Sequence, residues 1–268
     1  MSRRTDHPDL PDWLPEVVAE QRFPLLFATV SGAHLYGFPS VDSDVDLRGV
    51  HLLPLESLVG LEPGEQTVDV SWTRTGVEVD LVTHELRKFC RLLLRPNGYV
   101  LEQLLSPLVV ATGPVHQELC ALAPRLYTRR HAQHYLGFAR GQWQLFERTG
   151  QLKPLLYAFR TLLTGLQLVR TGRLETDLTR LAPEFGPGYL PELVRAKRGA
   201  EKGALPDGAP GVLVLQRDVL ALTEALAAAG ECGPLPERTE AVQELNDLVV
   251  RATLTANGTE GVRADNQC

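Results

Sequence analysis

Residues 31–50 read SGAHLYGFPSVDSDVDLRGV. The apolar run before this stretch, Leu25 to Ser31 with Phe27, Ala28 and Val30, predicts a strand that enters a turn at Gly32. A second strand is predicted from Val45 to Leu52, stopped by Pro54. Asp44 and Asp46 stand at its start, and side chains two apart on a strand share a face. Two carboxylates held together repel and call for a divalent cation. Backbone N–H groups around the upstream glycine suit an anion. Metal plus phosphate is the economical reading of the stretch.

A third carboxylate lies downstream. Thr67–Trp72 and Val77–Val82 alternate with period two, and Arg74-Thr75-Gly76 between them reads as a hairpin turn. Asp80 sits inside VEVDLV, with Glu78 and Val82 on its face. A carboxylate inside a sheet is costly unless it is paired or binds metal. If this strand lies beside 45–52, Asp80 joins Asp44 and Asp46. Three such groups repel by roughly 1–4 kcal/mol per pair at about 4 Å. Hard oxygen ligands suit Mg2+ or Mn2+ rather than zinc. Two such ions about 4 Å apart can activate a hydroxyl and stabilise a leaving pyrophosphate. The bland alternative makes Asp42 and Asp44 turn residues and Asp46 a solvated strand residue. The glycine turn and Asp80 weigh against it.

Working outward, a short helix is predicted at about Leu14–Gln21, after a loose charged leader. Beyond His84 the pattern becomes helical: Glu85–Leu94, then 99–105, then about Arg129–Arg148 closed by Gly150. The clearest stripe follows Pro154: Leu155, Leu156, Phe159, Leu162, Leu163, Leu166 and Val169, ending at Gly172. A basic piece, Pro191–Lys202, and two helices over 212–229 and 236–252 complete the pattern. The fold class expected is α+β: a small mixed sheet with flanking helices over 1–110, a helical domain over 111–256, and a polar, disordered tail over 257–268.

Composition bounds the function. The chain has 268 residues and a formal charge of −6, so it is not a general polyanion binder. Cys90, Cys120, Cys232 and Cys268 are far apart and form no C-x-x-C pair, which argues against a zinc ribbon or redox motif. No apolar run reaches membrane-spanning length, and the N-terminus carries no signal-peptide pattern. A cytoplasmic protein with no membrane partner is expected; the oligomeric state is left open.

The pattern of glycine turn, short gap, S-D-x-D and later aspartate resembles the DNA polymerase β-like nucleotidyltransferase superfamily. The stretches SDVDLRGV (43–50) and KPLLYAFR (153–160) are similar to its predicted nucleotidyltransferases of the YcgL/RlaP type, associated with RNA ligases. The resemblance implies that Asp44 and Asp46 hold both metals. It implies that Asp80 holds the catalytic one near the incoming hydroxyl, and that Gly32 lets the backbone approach a triphosphate. The superfamily's serine after that glycine is Ala33 here, with Ser31 one residue before it. Phosphate grip would then rest on backbone N–H groups, His34 and a residue of the helical domain.

Lys153, Tyr157 and Arg160 share a helix face at spacing four and three. Lys153 and Arg160 could neutralise a triphosphate and Tyr157 could stack on a base; a solvated basic edge with a half-buried tyrosine is the alternative. Arg48, on the face of Asp46, could contact phosphate or pair with an aspartate. His84 is read as a cap of the next helix, His131 and His134 as a packed or solvated pair, and Arg195, Lys197, Arg198 and Lys202 as an exposed face able to touch RNA. The implied reaction is metal-dependent transfer of a nucleoside monophosphate from an NTP to a hydroxyl, with an RNA 3′ end as leading acceptor. Two alternatives stand beside it. One is nucleotidylation of a protein or small molecule. The other is a non-catalytic nucleotide-binding regulator or antitoxin-like module, which the Ala33 departure favours.

Overall fold

The computed structural model describes residues 10–62, 64–199 and 203–264. Its sheet is built from β1 (Leu25–Val30), β2 (Val45–His51), β3 (Thr67–Arg74), β4 (Val77–Glu85) and β5 (Val109–Ala111), in the spatial order β3-β4-β2-β1-β5. β1 pairs antiparallel with β2 and β5, and β3 antiparallel with β4. β2 and β4 run parallel, which makes the sheet mixed. Twelve helices are described: α1 (Leu14–Ala19), α2 (Gly32–Leu35), α3 (Leu55–Val59), α4 (Leu86–Leu93), α5 (Gly98–Leu104), α6 (Pro114–Leu126), α7 (His131–Thr149), α8 (Leu152–Thr171), α9 (Leu178–Phe185), α10 (Leu190–Arg198), α11 (Val212–Cys232) and α12 (Val242–Ala264). The chain is therefore α+β, a mixed five-stranded sheet with helices and a helical C-terminal region.

Local chemistry explains the elements that carry the site. The β3–β4 hairpin turns on Thr75 and Gly76, both with positive φ (51° and 83°), as a two-residue turn matched to strand twist requires. That turn sets Arg74 opposite Val77, and therefore Ser71 opposite Asp80. α4 starts where the Glu85 side chain accepts from the backbone N–H of Arg87 and Lys88, both at 2.9 Å. The expected cap, His84, instead places its ring beside Thr67 Oγ1 at 3.0 Å, because strand alternation turns it to the opposite face from Glu85.

α8 is the axis of the helical region. Its apolar stripe predicted one buried face, yet it is buried nearly all round, with Leu155, Phe159, Leu162 and Leu163 fully enclosed. Each such side chain stabilises by about 2 kcal/mol relative to exposure. α7 packs along it, and α9, α10 and α11 cover its remaining sides. The core is continuous: Phe27 and Leu47 of the sheet, Phe89, Leu101 and Leu119, and the α8 leucines belong to one cluster.

Several elements carried no expectation. The sequence pattern predicts no element for α3, β5, α6 or α9, and prolines at 114, 124 and 183 interrupt the helical period of the last two. α12 runs on to Ala264, through much of the expected disordered tail. A helix nucleated by packed residues such as Leu245 and Leu248 extends through polar sequence more easily than the same sequence could start one. The rest of that tail, the charged leader over 1–9 and Lys202 lie outside the described residues.

Candidate functional site

The parallel β2–β4 pair sets the centre. Asp46 and Asp80 are direct register partners, so adjacent strands present two carboxylates at one level. Arg48, two residues after Asp46 and on its face, reaches between them. Its Nη2 donates to Asp46 Oδ1 at 2.6 Å and Asp80 Oδ2 at 2.9 Å. Nη1 donates to the carbonyls of Leu47 (3.0 Å) and Asp80 (2.6 Å), and Nε to the Tyr99 hydroxyl at 2.9 Å. All the N–H groups of the guanidinium are thereby used, and the side chain is buried. Of the two readings of Arg48, the internal ion pair is the one the structure contains; no donor remains for a phosphate.

Asp80 also accepts from Ser71 Oγ at 3.1 Å. Burial raises the pKa of Asp46; Arg48 opposes that, the charges of Asp44 and Asp80 add to it, and Lys153 opposes it. Asp44, just ahead of β2, thus stands within electrostatic reach of the pair, and Lys153 of α8 faces the same field. Among the described residues no three acidic, histidine or cysteine side chains stand together at metal-holding spacing. The expected meeting of all three carboxylates is in this respect looser than read from sequence: Arg48 bridges the two strand carboxylates where they meet, and Asp44 stands outside that bridge. The donor set still suits a hard dication. Mg2+ is commonly held by one or two carboxylates with waters and substrate phosphates completing its shell, and Asp46 and Asp80 keep partly exposed side chains.

Gly32 has a sharper role than its expected one. Its φ is +65°, and a Cβ built on it would lie 1.8 Å from Asp46 Oδ2. The glycine makes room for the carboxylate itself, and the neighbouring Ser31 N–H donates to the Asp46 carbonyl at 2.8 Å. Gly32→Ala should cost about 1–2 kcal/mol through the left-handed backbone and in addition push Asp46 off its position. Gly76→Ala is the matched control, since Gly76 has φ +83° with nothing within 4 Å of its added Cβ. Denaturant unfolding of the two variants should show the larger loss at Gly32; equal losses would mean the carboxylate contact carries no weight.

Other expected site residues are distributed as follows. Ser31 Oγ is buried with no hydrogen-bond partner among the described residues, Ala33 is buried, and half-buried His34 lines a cavity of about 550 Å3 beside the start of β2. That volume falls in the range of small-molecule sites, and Ser40, Ser43, Val45 and Arg198 also line it. Tyr157 packs edge-on against Tyr36 and Phe38 (5.4 and 5.6 Å between centroids), a half-buried tyrosine rather than a presented stacking face. Arg160 departs most from expectation. It is 2% exposed, donates to Glu102 Oε1 at 2.7 Å, and lies 3.8 Å over the Tyr36 ring. The spacing that put it on the face of Lys153 is real, but that face runs into the core, so Arg160 meets Glu102 and not a triphosphate.

Sequence reasoning missed Tyr99, Ser71, Glu102, and the reach of Lys197 and Arg198. Ser71 was findable by counting back from a two-residue turn to Asp80. Tyr99 and Glu102 gave no local signal. Lys197, read as part of an exposed face, is fully buried and donates to Ser40 Oγ at 3.2 Å, and Arg198 donates to the Gly37 carbonyl at 2.7 Å. Both tie α10 to the loop between α2 and β2.

The chain is 30% identical over 156 residues to the uncharacterized protein MJ0002 of Methanocaldococcus jannaschii, a match covering 58% of this chain and 64% of that one. It is 28% identical over 188 residues to the uncharacterized protein YcgL of Bacillus subtilis, covering 66% and 71%. A nucleotidyltransferase-like protein from Exiguobacterium sibiricum, known from a crystal structure, aligns over 82% of this chain and 72% of that one at 13% identity, with a TM-score of 0.30. The RlaP family profile matches residues 7–251, most of the sequence and the whole of the carboxylate centre. The chain therefore belongs to the RlaP family, the RNA repair pathway DNA polymerase β family.

Proposed function

We propose that the protein is a metal-dependent nucleotidyltransferase that moves a nucleoside monophosphate from an NTP to a hydroxyl, with an RNA 3′ end as acceptor. The observation that carries this reading is the in-register pairing of Asp46 with Asp80 around a single guanidinium, against Gly32. Two strand carboxylates, with the charge of Asp44 added, hold more negative charge than Arg48 balances. Mg2+ or Mn2+, held by Asp46 and Asp80 with Asp44 drawn in, would supply charge neutralisation at the phosphates and lower the pKa of the attacking hydroxyl. Lys153 contributes a positive charge from the helical side, where a departing pyrophosphate needs one. The cavity lined by His34, Ser40 and Ser43 is large enough for part of the nucleotide or acceptor. Positioning and fixed electrostatics would carry most of the rate, as in phosphoryl transfer generally. The RNA acceptor rests on the family's RNA repair description.

One observation favours the non-catalytic regulator. Arg48 already bridges the strand carboxylates, as a site retired from metal binding would allow. The deciding experiment incubates the protein with α-labelled NTPs, Mg2+ or Mn2+, and three acceptor pools: RNA, protein extract and small hydroxyl compounds. Label is expected on RNA, and to disappear when the RNA 3′ diol is first oxidised with periodate. Label on protein or a small molecule redirects the acceptor. Nucleotide binding with no transfer and no pyrophosphate release returns the regulator.

A further inference from the structure

A second cavity, of about 250 Å3, lies between the end of α4, the start of α7 and the loop ahead of α12. Its lining carries three arginines from three separate segments: Arg95, Arg130 and Arg238. Among the described residues none of the three guanidiniums has an ion pair or a hydrogen-bond acceptor. The acids nearby are already taken: Glu237 pairs with Arg129 at 3.1 Å, and Glu244 with Arg125. Three unpaired cations thus line one small concavity, in a chain of net charge −6, and the acidic side chain in that lining, Glu237, is engaged by Arg129.

The cavity wall also carries a buried histidine. His131, the first residue of α7, is 1% exposed and lines the same space. Its Nδ1 lies 3.2 Å from the Thr128 N–H, which it can accept, and 3.0 Å from the Thr128 carbonyl. In the tautomer that accepts, the ring proton is on Nε2. Nε2 is buried with no partner among the described residues. A buried ring nitrogen left unmatched is costly. Burial holds the His131 pKa down to about 4, so the ring adds no fourth charge to the wall.

We propose that this cavity is a phosphate-binding site, separate from the carboxylate centre, in which Arg95, Arg130 and Arg238 grip one phosphate group. Guanidinium forks match phosphate oxygens in charge and geometry, and the three come from separate segments of the chain. The site is joined to the carboxylate centre through one short segment. Arg95 follows the end of α4, and Tyr99, four residues on, holds Arg48 through its hydroxyl. The phosphate is either a backbone phosphate of a nucleic acid strand or a free phosphate such as pyrophosphate; the recognition chemistry is the same. The proposal does not depend on the transferase reading.

The test uses the full chain in EDTA, so that no metal-held phosphate at the carboxylates contributes. Inorganic pyrophosphate is titrated by calorimetry, and a fluorescent single-stranded oligoribonucleotide by anisotropy at several salt concentrations. Wild type is compared with the Arg95→Gln/Arg238→Gln double variant and with Arg170→Gln, the same kind of charge removal on an exposed residue elsewhere. Arg95, Arg130 and Arg238 are exposed, and unchanged melting confirms the fold; the Arg130→Gln single variant gives the same reading independently. The double variant should bind about tenfold more weakly. On RNA its salt slope should be shallower by about one for each phosphate no longer neutralised, while Arg170→Gln behaves as wild type. An effect confined to RNA makes the source a strand, and one confined to pyrophosphate makes it a free ion. Wild type binding neither probe, or the double variant matching wild type or Arg170→Gln on both, overturns the site.

Discussion

Asp46→Asn should lower the proposed Mg2+-dependent pyrophosphate release by about 10²–10³-fold or more, the scale seen when one fixed electrostatic group facing developing charge is removed. The same change should leave the fold intact. Asp46 is the carboxylate on which the centre converges. It shares Arg48 with Asp80, lies against Gly32, and feels Asp44, Asp80 and Lys153. Its folded pKa is raised, chiefly by burial. The sign follows from linkage: a carboxyl whose pKa rises on folding favours the folded state in its neutral form, and that contribution is lost as pH rises through the folded value. Neutral asparagine, equal in size, therefore keeps the packing without the burial cost, and Arg48 retains Asp80. Thermal melting should move little while release disappears. Release at the wild-type rate would remove Asp46 from the chemistry, and a collapse in melting temperature would mean that its charge serves structure.

That centre was largely legible in sequence. The period-two pattern of 77–82 and the start of β2 at Val45 placed Asp46 and Asp80 on strands able to pair, and the register joins them directly. A strand face is fixed by alternation alone, so a two-residue spacing carries three-dimensional information. Helix faces carry less. The spacing of Lys153, Tyr157 and Arg160 gave one correct face, but which end of that face reaches solvent depends on what packs across it. Lys153 reaches the field of Asp46, while Arg160, two turns on, is buried against Glu102 and Tyr36. The counterion Glu102 comes from α5, fifty-eight positions away, and local pattern contains nothing about such a partner. Lys197 fails for the same reason: its neighbours in sequence are basic and polar, but the loop that buries it belongs to residues 37–43.

Glu102→Ala should destabilise the protein by about 3–5 kcal/mol, the cost of stranding a buried charge. Glu102 and Arg160 each have side chains 3% exposed. Glu102 Oε1 accepts from Arg160 Nη1 at 2.7 Å and Oε2 from the Tyr36 hydroxyl at 3.0 Å. Removing the carboxylate leaves the buried guanidinium over the Tyr36 ring without the anion it pairs with. The melting temperature should then fall by about 2–4 °C for each kcal/mol lost, as expected for a chain of this size. Replacing both partners by apolar residues of similar volume, Glu102→Leu with Arg160→Met, should recover much of the loss, because neither charge then needs solvation. If the double variant is as unstable as the two single losses added together, the pair is not the unit of stability. The position of the pair gives the test a second readout. Tyr36 ends α2, whose first residue, Gly32, abuts Asp46, so α8, α5 and the glycine turn are held to one another through these three side chains. Slackening the pair should weaken the proposed nucleotide binding before the chain unfolds, and the apolar double variant, which restores packing but not the Tyr36 hydrogen bond, should regain stability more fully than affinity.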